Sequence, residues 1–447
     1  MKLKTLIFLF IGISFNFFSA VANQHTQDRK VWNPSLWVND FIQEAKLEDL
    51  EDQAGGRYPE SFKWILEKTI GWIPEKSLGQ ESRCSQRFGA FYEKLLKSEL
   101  PSNKKRYLED FLKTCSPVES NNNPWTVLKN ISQIHDFPQE KGYRRVTLHF
   151  PGGIKTQALL GLKDNKKRDW IVIRPGIFAS TNEIIAEKYL LILLYELSPF
   201  NVIYLESSTS SDHLFHNKKV FLGGAKEAFE NIYLIKELRS HPFFSKLINK
   251  IHLFGMSLGG NGVLLASLIN AENHYSFFEK TLLFCPLIDL KTTYQQSLSP
   301  SLWNLIKDLW SAQRFTYILS QRQAFPMGFW QGIFNLTPRN ITGYYELVKR
   351  DYTIEPTLYK GFGEKYYSGD FEKDVDFFKK IKVLPDHFYL WATKTDVLVP
   401  TTLNYDFLKP LESEKQFFFL FDKGNHCSFL YAYNLEFLKS LILGILE

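Results

Sequence analysis

Residues 249–265 read Asn-Lys-Ile-His-Leu-Phe-Gly-Met-Ser-Leu-Gly-Gly-Asn-Gly-Val-Leu-Leu, and they give the clearest indication of the fold. An apolar run stops at Gly255, Ser257 follows, and a helix-like apolar run begins after the next glycines. The pattern predicts a strand, a sharp turn with a serine at its apex, and a helix. Gly255 and Gly259 stand two residues before and after the serine, where such a turn crowds the backbone. The stretch therefore predicts an exposed Ser257 hydroxyl at the carboxyl edge of a sheet. A glycine-rich turn without chemistry is the alternative.

Apolar strands and helices alternate on both sides of this turn. Predicted strands cover 145–150, 156–162, 170–173, 201–205, 251–254, 281–285, 387–391 and 417–421, and further helices cover 183–197, 225–238 and 435–446. A hairpin followed by alternating strands and helices implies an α/β fold, with a mostly parallel central sheet and helices on both faces.

The 447 residues divide into four predicted regions. These are a signal peptide at 1–22, a helical amino-terminal extension at 23–140, an α/β domain at 141–290 and 381–447, and a helical cap insertion at 291–380. The cap is rich in large apolar residues: Trp303, Leu305, Trp310, Phe315, Tyr317, Phe325, Phe329, Trp330 and Phe334. Their ordinary role is to pack the cap helices together. If some rings face the serine, they form an apolar pocket for an acyl or alcohol group.

The first 22 residues have the pattern of an export signal. Lys2 and Lys4 form a short basic start, 6–18 is mostly apolar, and Ala20-Val21-Ala22 is a small-residue cleavage pattern. The apolar run is shorter than the roughly 20 residues that span a bilayer. We therefore expect an exported protein, periplasmic or secreted. An uncleaved anchor is the alternative.

Composition excludes some partners. The formal net charge is +6, but lysine and arginine are spread along the chain, so no nucleic-acid patch is predicted. No residue spacing indicates a metal site, and no cofactor is predicted. His213 and His216 lie three apart in a serine-rich segment, which favours an exposed polar loop over a metal site.

The chain has four cysteines, and export permits disulfides. Cys84 and Cys115 flank a predicted helical hairpin and are the favoured pair. Cys285 ends an apolar strand and Cys427 follows a histidine. Both are expected to be buried free thiols.

Ser257 needs a base to take its proton and an acid to orient that base. His426 follows the last predicted strand, and Asp396 follows the strand before it. Because loops after parallel strands gather at one edge of a sheet, all three side chains are expected to meet there. The chain order Ser, Asp, His is the order expected for this kind of sheet. Asp289, after the strand at 281–285, is the rival acid.

Acyl transfer also needs backbone N–H groups aimed at the developing oxyanion. Leu258 is one expected donor, because it follows the nucleophile at a helix start. The turn Pro175-Gly176-Ile177-Phe178 supplies the other, with Ile177 first and Phe178 second in preference. A plain strand-to-helix connection is the alternative for this turn.

These motifs resemble those of the α/β-hydrolases. Within them, 255–261 resembles the serine turn of the bacterial YheT-like hydrolases and their eukaryotic membrane-associated relatives. Segment 424–429 resembles their Gly-Gly-His-x-Gly-Phe segment, and Asp396 matches their acid. The resemblance covers about 143–290 and 380–447. It implies an α/β-hydrolase fold with Ser257, Asp396 and His426 as the catalytic triad.

The chain departs from that pattern at three places. Pro175-Gly176 replaces the usual His-Gly of the oxyanion turn, and Asn425 and Ser428 replace two glycines around the histidine. The predicted export is also unusual for those relatives.

The sequence thus predicts a serine hydrolase that cleaves apolar carboxylic esters, with a small-molecule or lipid-like ester as its partner. Contact with a membrane surface is a second possible interaction, because the eukaryotic relatives are membrane-associated. A peptidase or acyltransferase using the same triad is the alternative within enzymes. A non-catalytic binding protein on the same fold is the alternative outside them.

Overall fold

The computed structural model describes part of the chain. It describes residues 34–45, parts of 90–114, 143–177, 179–181, most of 191–296, 348–350 with 352, 365–421 apart from 397, and the short segments 426–427 and 442–446. The predicted leader, most of the amino-terminal extension and most of the cap lie outside these residues. The four region boundaries therefore stay predictions.

Nine described strands form one sheet, in the order β1-β2-β3-β5-β4-β6-β7-β8-β9. The strands are β1 (Ile42–Glu44), β2 (Tyr143–Phe150), β3 (Ile154–Gly161), β4 (Arg168–Arg174), β5 (Asn201–Leu205), β6 (Ile248–Met256), β7 (Lys280–Phe284), β8 (Phe388–Thr393) and β9 (Gln416–Phe421). The pairs β1–β2, β2–β3 and β3–β5 are antiparallel. Every other pair is parallel. This order, with β5 outside β4 after a leading hairpin, is that of the α/β-hydrolase fold, and it confirms the predicted fold class.

Helices connect and cover the parallel strands. Those described are α1 (Pro34–Trp37), α2 (Pro101–Thr114), α3 (Ser211–Asn217), α4 (Gly224–Ser240), α5 (Leu258–Glu272), α6 (Leu290–Gln296), α7 (Phe371–Asp374) and α8 (Thr401–Asn404). Short 3₁₀ turns lie at Pro151–Gly153, Phe244–Lys246, Phe377–Lys380 and Lys409–Leu411. Residues 348–350, residues 442–446 and the described residues of 90–97 are also helical. Most of the helices predicted over 183–197 and 435–446 lies outside the described residues.

The central strands are apolar because both of their faces are covered. All five residues of β5 and all six of β8 are buried, as expected for parallel strands between helices. Aromatic rings fill the space above β7 to β9. The Phe284 and Trp391 rings stack with centroids 4.2 Å apart, and those of Tyr389 and Phe417 with centroids 5.0 Å apart. The Phe284 and Trp391 rings thus pack together near the carboxyl ends of β7 and β8.

The amino-terminal extension contributes to the sheet, which its helical interpretation missed. In β1, Ile42 pairs with Leu148 of β2 and is 1% exposed. The Asn39 side chain accepts the backbone N–H groups of Phe41 and Ile42, which turns the chain into the strand. A three-residue strand is too short to show alternation in sequence.

The described part of α2 packs on the main core through Leu108 and Phe111. Among the described helices, none combines the length and the apolar character needed to cross a membrane.

Candidate active site

Ser257 occupies the turn between β6 and α5 in a conformation that few residues adopt. Its φ is 52° and its ψ is −121°, a region that costs a non-glycine residue about 1–3 kcal/mol. Among its backbone hydrogen bonds, two join it to the end of β7 and the segment after it: the Ser257 N–H donates to the Phe284 carbonyl at 3.0 Å, and the Leu287 N–H donates to the Ser257 carbonyl at 2.9 Å. The strained serine is therefore fixed by the segment that follows β7.

The glycines around Ser257 are required by close backbone contacts. A Cβ on Gly255 would lie 2.7 Å from the Cα of Gly260, and one on Gly259 would lie 2.3 Å from the Pro175 carbonyl oxygen. A Cβ on Gly260 would lie 2.7 Å from that of Pro286. These distances are shorter than real Cβ contacts, so the predicted reason for Gly255 and Gly259 is confirmed.

The structure brings Ser257, His426 and Asp396 together in a continuous hydrogen-bonded chain. His426 Nε2 lies 2.9 Å from Ser257 Oγ, and His426 Nδ1 lies 2.8 Å from Asp396 Oδ2. An ionised carboxylate only accepts hydrogen bonds, so Nδ1 carries the proton. In the neutral ring Nε2 is then an acceptor for the serine hydroxyl. The Asp396 side chain is 1% exposed and that of His426 is 19% exposed, so the base remains accessible at one edge.

Asp396 is held in place by backbone donors. Its Oδ1 accepts the N–H groups of Leu398 at 2.9 Å and Val399 at 2.8 Å, which leaves Oδ2 for His426. The rival acid, Asp289, has a different task. Its Oδ1 accepts the Thr292 N–H at 2.9 Å and so caps the start of α6. The geometry favours Asp396 as the partner of the imidazole.

The turn after β4 lies directly against Ser257. A Cβ on Gly176 would be 3.3 Å from the Ser257 Cβ and 3.8 Å from its Oγ. The Gly259 N–H donates to the Pro175 carbonyl at 3.1 Å, which joins α5 to this turn. Leu258 is the first residue of α5, where N–H groups have no partner within the helix, and Ile177 follows Gly176. Leu258 therefore adjoins the serine, Ile177 follows the glycine that lies against it, and Phe178 lies outside the described residues.

A disulfide joins Cys285 and Cys427, with a Cα–Cα distance of 5.4 Å. The expectation that these are free thiols is therefore wrong. Sequence patterns place each at the end of a strand but give no sign that β7 and the segment after β9 bring them together. Their ligand atoms and those of His426 lie within 4.8 Å of one another, but disulfide sulfurs are not thiolate ligands for a metal. Cys84 and Cys115 lie outside the described residues.

A buried charged cluster lies behind the turn after β4. Arg174, at the end of β4, donates to Glu230 Oε2 at 2.6 Å, to Asn231 Oδ1 at 2.9 Å and to the Glu206 carbonyl at 3.0 Å. Lys226 also binds Glu230. Burial raises the pKa of Glu230, but Lys226 and Arg174 more than reverse this and lower it well below its ordinary value. Sequence reasoning missed Arg174, although a charge ending an apolar strand has to be paired.

His213 belongs to this cluster and does not lie in an exposed loop. It is fully buried on α3, and its ring contacts the Lys226 ammonium. Burial, and then the charge of Lys226, lower the pKa of His213 to about 4. Burial and the charge of Asp212 raise the pKa of nearby Glu206. The serine-rich segment looks exposed in sequence because its residues are polar, but they bond to buried carboxylates such as Glu206 and Glu227.

The chain is similar to solved structures of esterases at low sequence identity. No family model matches the chain, and no curated protein matches it. Among solved structures, an esterase from Pyrococcus furiosus is similar at 13% identity and a TM-score of 0.41, over 68% of this chain and 91% of that one. An esterase from Pyrobaculum calidifontis is similar at 11% identity and a TM-score of 0.42, over 84% and 99%. An acetyl xylan esterase from Thermoanaerobacterium is similar at 13% identity and a TM-score of 0.35, over 82% and 99%. TM-scores and identities this low do not indicate a function. The fold assignment is based on the strand order of the sheet.

Proposed function

We propose that this protein is an exported serine hydrolase that cleaves carboxylic esters through Ser257, His426 and Asp396. The observation that supports this most is the chain of two hydrogen bonds, 2.9 Å from Ser257 Oγ to the imidazole and 2.8 Å from the imidazole to Asp396. A serine in a strained turn, a base in contact with it and an acid that orients the base are the parts that acyl transfer requires.

In the first step, His426 Nε2 takes the proton of Ser257 as Oγ attacks the ester carbonyl. Asp396 holds the ring and stabilises the imidazolium that forms. The amides of Leu258 and Ile177 bind the developing oxyanion. The imidazolium then protonates the leaving alcohol, and the acyl group stays on Ser257.

In the second step, water attacks the acyl-enzyme with His426 as base, and a second oxyanion forms at the same amides. The acid leaves as the imidazolium returns its proton to Oγ. Helix α5 starts immediately after Ser257, so its positive end favours the charge of both oxyanions.

An apolar ester is the proposed substrate class. The support is the aromatic content of 291–380, the region inserted between β7 and β8 where it would cover the serine. Rings that line such a site favour apolar acyl or alcohol groups.

Export is proposed from two features. The first is the basic and apolar start with its small-residue cleavage pattern. The second is the Cys285–Cys427 disulfide, a bond that persists in oxidising compartments and is rare in the cytosol.

The purified protein should hydrolyse p-nitrophenyl esters, and a series from short to long acyl chains should show a preference for the longer ones. Replacing Ser257→Ala removes the nucleophile and should lower kcat by roughly 10⁴-fold or more. It should also abolish labelling by a fluorophosphonate probe.

The matched control is Ser240→Ala, which removes an exposed hydroxyl at the end of α4. It should keep wild-type turnover and labelling. Labelling of Ser257 without turnover of any ester would overturn the ester assignment. Full turnover in Ser257→Ala would overturn the assigned nucleophile.

A further inference from the structure

The segment that follows β7 positions the nucleophile. Phe284, the last residue of β7, accepts the Ser257 N–H at 3.0 Å, and Leu287 donates its N–H to the Ser257 carbonyl at 2.9 Å. Cys285 lies between these two anchors and is 1% exposed. Any group bonded to Cys285 is therefore held at a fixed place relative to the serine.

The bonded group is Cys427, the residue directly after His426. Along the chain His426 is 169 residues from Ser257. Through the disulfide at Cys427, His426 is joined to the segment that is hydrogen-bonded to the Ser257 backbone. The Cys427 side chain is buried, with the residue 4% exposed, whereas the imidazole beside it is 19% exposed. The buried Cys427 sulfur thus restrains the neighbouring His426 imidazole, which is more exposed.

The backbone at both ends of the disulfide is in the left-handed region. Cys285 has a φ of 42° and Cys427 a φ of 51°, values that L-residues rarely adopt unless their surroundings hold them. Cys285 is also held by donating its N–H to the Trp391 carbonyl at 2.6 Å. At Cys427, the disulfide is a covalent restraint at a residue with this uncommon conformation.

We infer that the Cys285–Cys427 disulfide is the positioning element that sets His426 against Ser257, so that turnover depends on the oxidation state of this pair. The inference rests on the proposed function. In the oxidised protein, Cys285 and Cys427 take no part in the chemistry and act through the position of the imidazole.

Reduction would have a second effect. A phosphine attacks one sulfur, the S–S bond breaks and its electron pair leaves on the other sulfur. Water then supplies the oxygen of the phosphine oxide and the protons of two thiols. The Cys427 sulfur lies 3.9 Å from His426 Nε2. A thiol is a stronger acid than a serine hydroxyl, so the freed Cys427 thiol competes for the base that Ser257 needs.

The test compares the oxidised and the phosphine-reduced protein, well below its melting temperature and with a chelator present. The chelator prevents soft metals from binding the freed thiols beside His426. Reduction should lower kcat on a p-nitrophenyl ester by roughly 10- to 100-fold, the effect of a small misplacement of a catalytic group. KM and the circular dichroism spectrum should change little. The rate of fluorophosphonate labelling should fall by the same factor, and reoxidation should restore both rates.

Two double variants separate this disulfide from the other cysteines. Cys285→Ala with Cys427→Ala lacks both the disulfide and the competing thiol, so its kcat should fall below that of the oxidised protein, to a value at or above that of the reduced protein, and should not respond to the phosphine. Cys84→Ser with Cys115→Ser removes the other two cysteines of the chain and should respond as the wild type does.

Unchanged kcat in protein whose Cys285 and Cys427 are shown by mass spectrometry to be free thiols would overturn the inference. In that case a lower melting temperature would assign the bond a stabilising role alone, and the hydrolase proposal would stand. If the oxidised protein neither turns over esters nor labels with the probe, the hydrolase proposal fails and the inference fails with it.

Discussion

Each carboxylate oxygen of Asp396 has its own task. Oδ1 accepts two backbone N–H groups from the turn that follows, and Oδ2 faces the imidazole at 2.8 Å. The two backbone donors fix the rotamer and so hold the carboxylate beside the imidazole. Because the Asp396 side chain is only 1% exposed, water does not compete with His426 for Oδ2. The residue therefore sets both the tautomer and the orientation of His426.

This assignment predicts a sharp difference between two aspartates. Asp396→Asn presents an amide to Nδ1, which favours the wrong imidazole tautomer, and should lower kcat by roughly 10³- to 10⁴-fold. Asp289→Asn keeps a side-chain oxygen for the start of α6, because asparagine caps helices as well as aspartate does. It should leave kcat near that of the wild type. Steady-state kinetics on one ester measures both, and the reverse order would identify Asp289 as the acid.

At the scale of elements, the site depends on how closely α5 approaches the turn after β4. The Gly259 N–H donates to the Pro175 carbonyl at 3.1 Å, and no side chain fits between them. This contact aligns the Leu258 amide with the turn that carries Ile177. The proposed oxyanion site therefore needs both elements, because each carries one of its two proposed donors.

Gly259→Ala tests this contact. Alanine is a better helix former than glycine, so any loss must come from crowding. The added Cβ would lie 2.3 Å from the Pro175 oxygen and 2.5 Å from the Arg174 oxygen. We expect a lower kcat/KM, measured by steady-state kinetics. We also expect a loss of about 1–3 kcal/mol or more in the free energy of unfolding, measured by denaturant titration.

Gly153→Ala is the matched control. Its Cβ would meet no atom within 4 Å, although its φ of +75° makes alanine unfavourable. It should cost about 1 kcal/mol of stability and leave turnover unchanged. Wild-type turnover in Gly259→Ala would show that the alignment of α5 with the turn is not needed.

At the scale of the whole molecule, the buried cluster around Arg174 couples the turn after β4 to α3 and α4. Its members carry both signs, with Arg174 and Lys226 facing Glu230, and all are almost fully buried. Removing one partner of such a set leaves an uncompensated buried charge. His213 lies among them without charge, because its pKa is lowered to about 4.

This cluster predicts how stability depends on pH. Between pH 6.5 and about 4 the unfolded chain binds a proton at His213 and the folded chain does not. The free energy of unfolding should therefore fall as pH falls through this window, by roughly 3 kcal/mol for this group. His213→Gln removes the titration, so the stability difference between wild type and variant should shrink by that amount from pH 7 to pH 4.

Denaturant unfolding at several pH values measures this difference. Glu206 and Glu227 have raised pKa values because they are buried, and they titrate in both proteins, so their contribution largely cancels. His274→Asn, at an exposed position, is the control and should keep the wild-type pH dependence. A constant difference between wild type and His213→Gln would contradict the assignment.

The fold was predictable because it depends on local and periodic signals. Continuous apolar runs predict buried parallel strands, and β5 and β8 are buried along their full length. Because such strands end at one edge, the proximity of Ser257, Asp396 and His426 follows from their places after β6, β8 and β9. That parallel strands end at one edge of the sheet can be used without any knowledge of side-chain packing.

Other features depend on contacts between distant parts of the chain. The Cys285–Cys427 disulfide joins residues 142 apart, and neither has a local sign of its partner. Strand β1 is only three residues long, so its alternation cannot be recognised. The polar segment at 206–213 looks solvent-exposed, and only the carboxylates that it meets in the fold explain its burial.

During turnover Ser257 should carry the acyl group, and trapping this intermediate would reveal it. The oxidised protein is mixed with a p-nitrophenyl ester, quenched in acid during turnover and digested for mass spectrometry. We expect the mass of the acyl group on the peptide that contains Ser257, and its absence from the Ser257→Ala variant. An acyl group on a different residue, or hydrolysis that persists in Ser257→Ala, would contradict it.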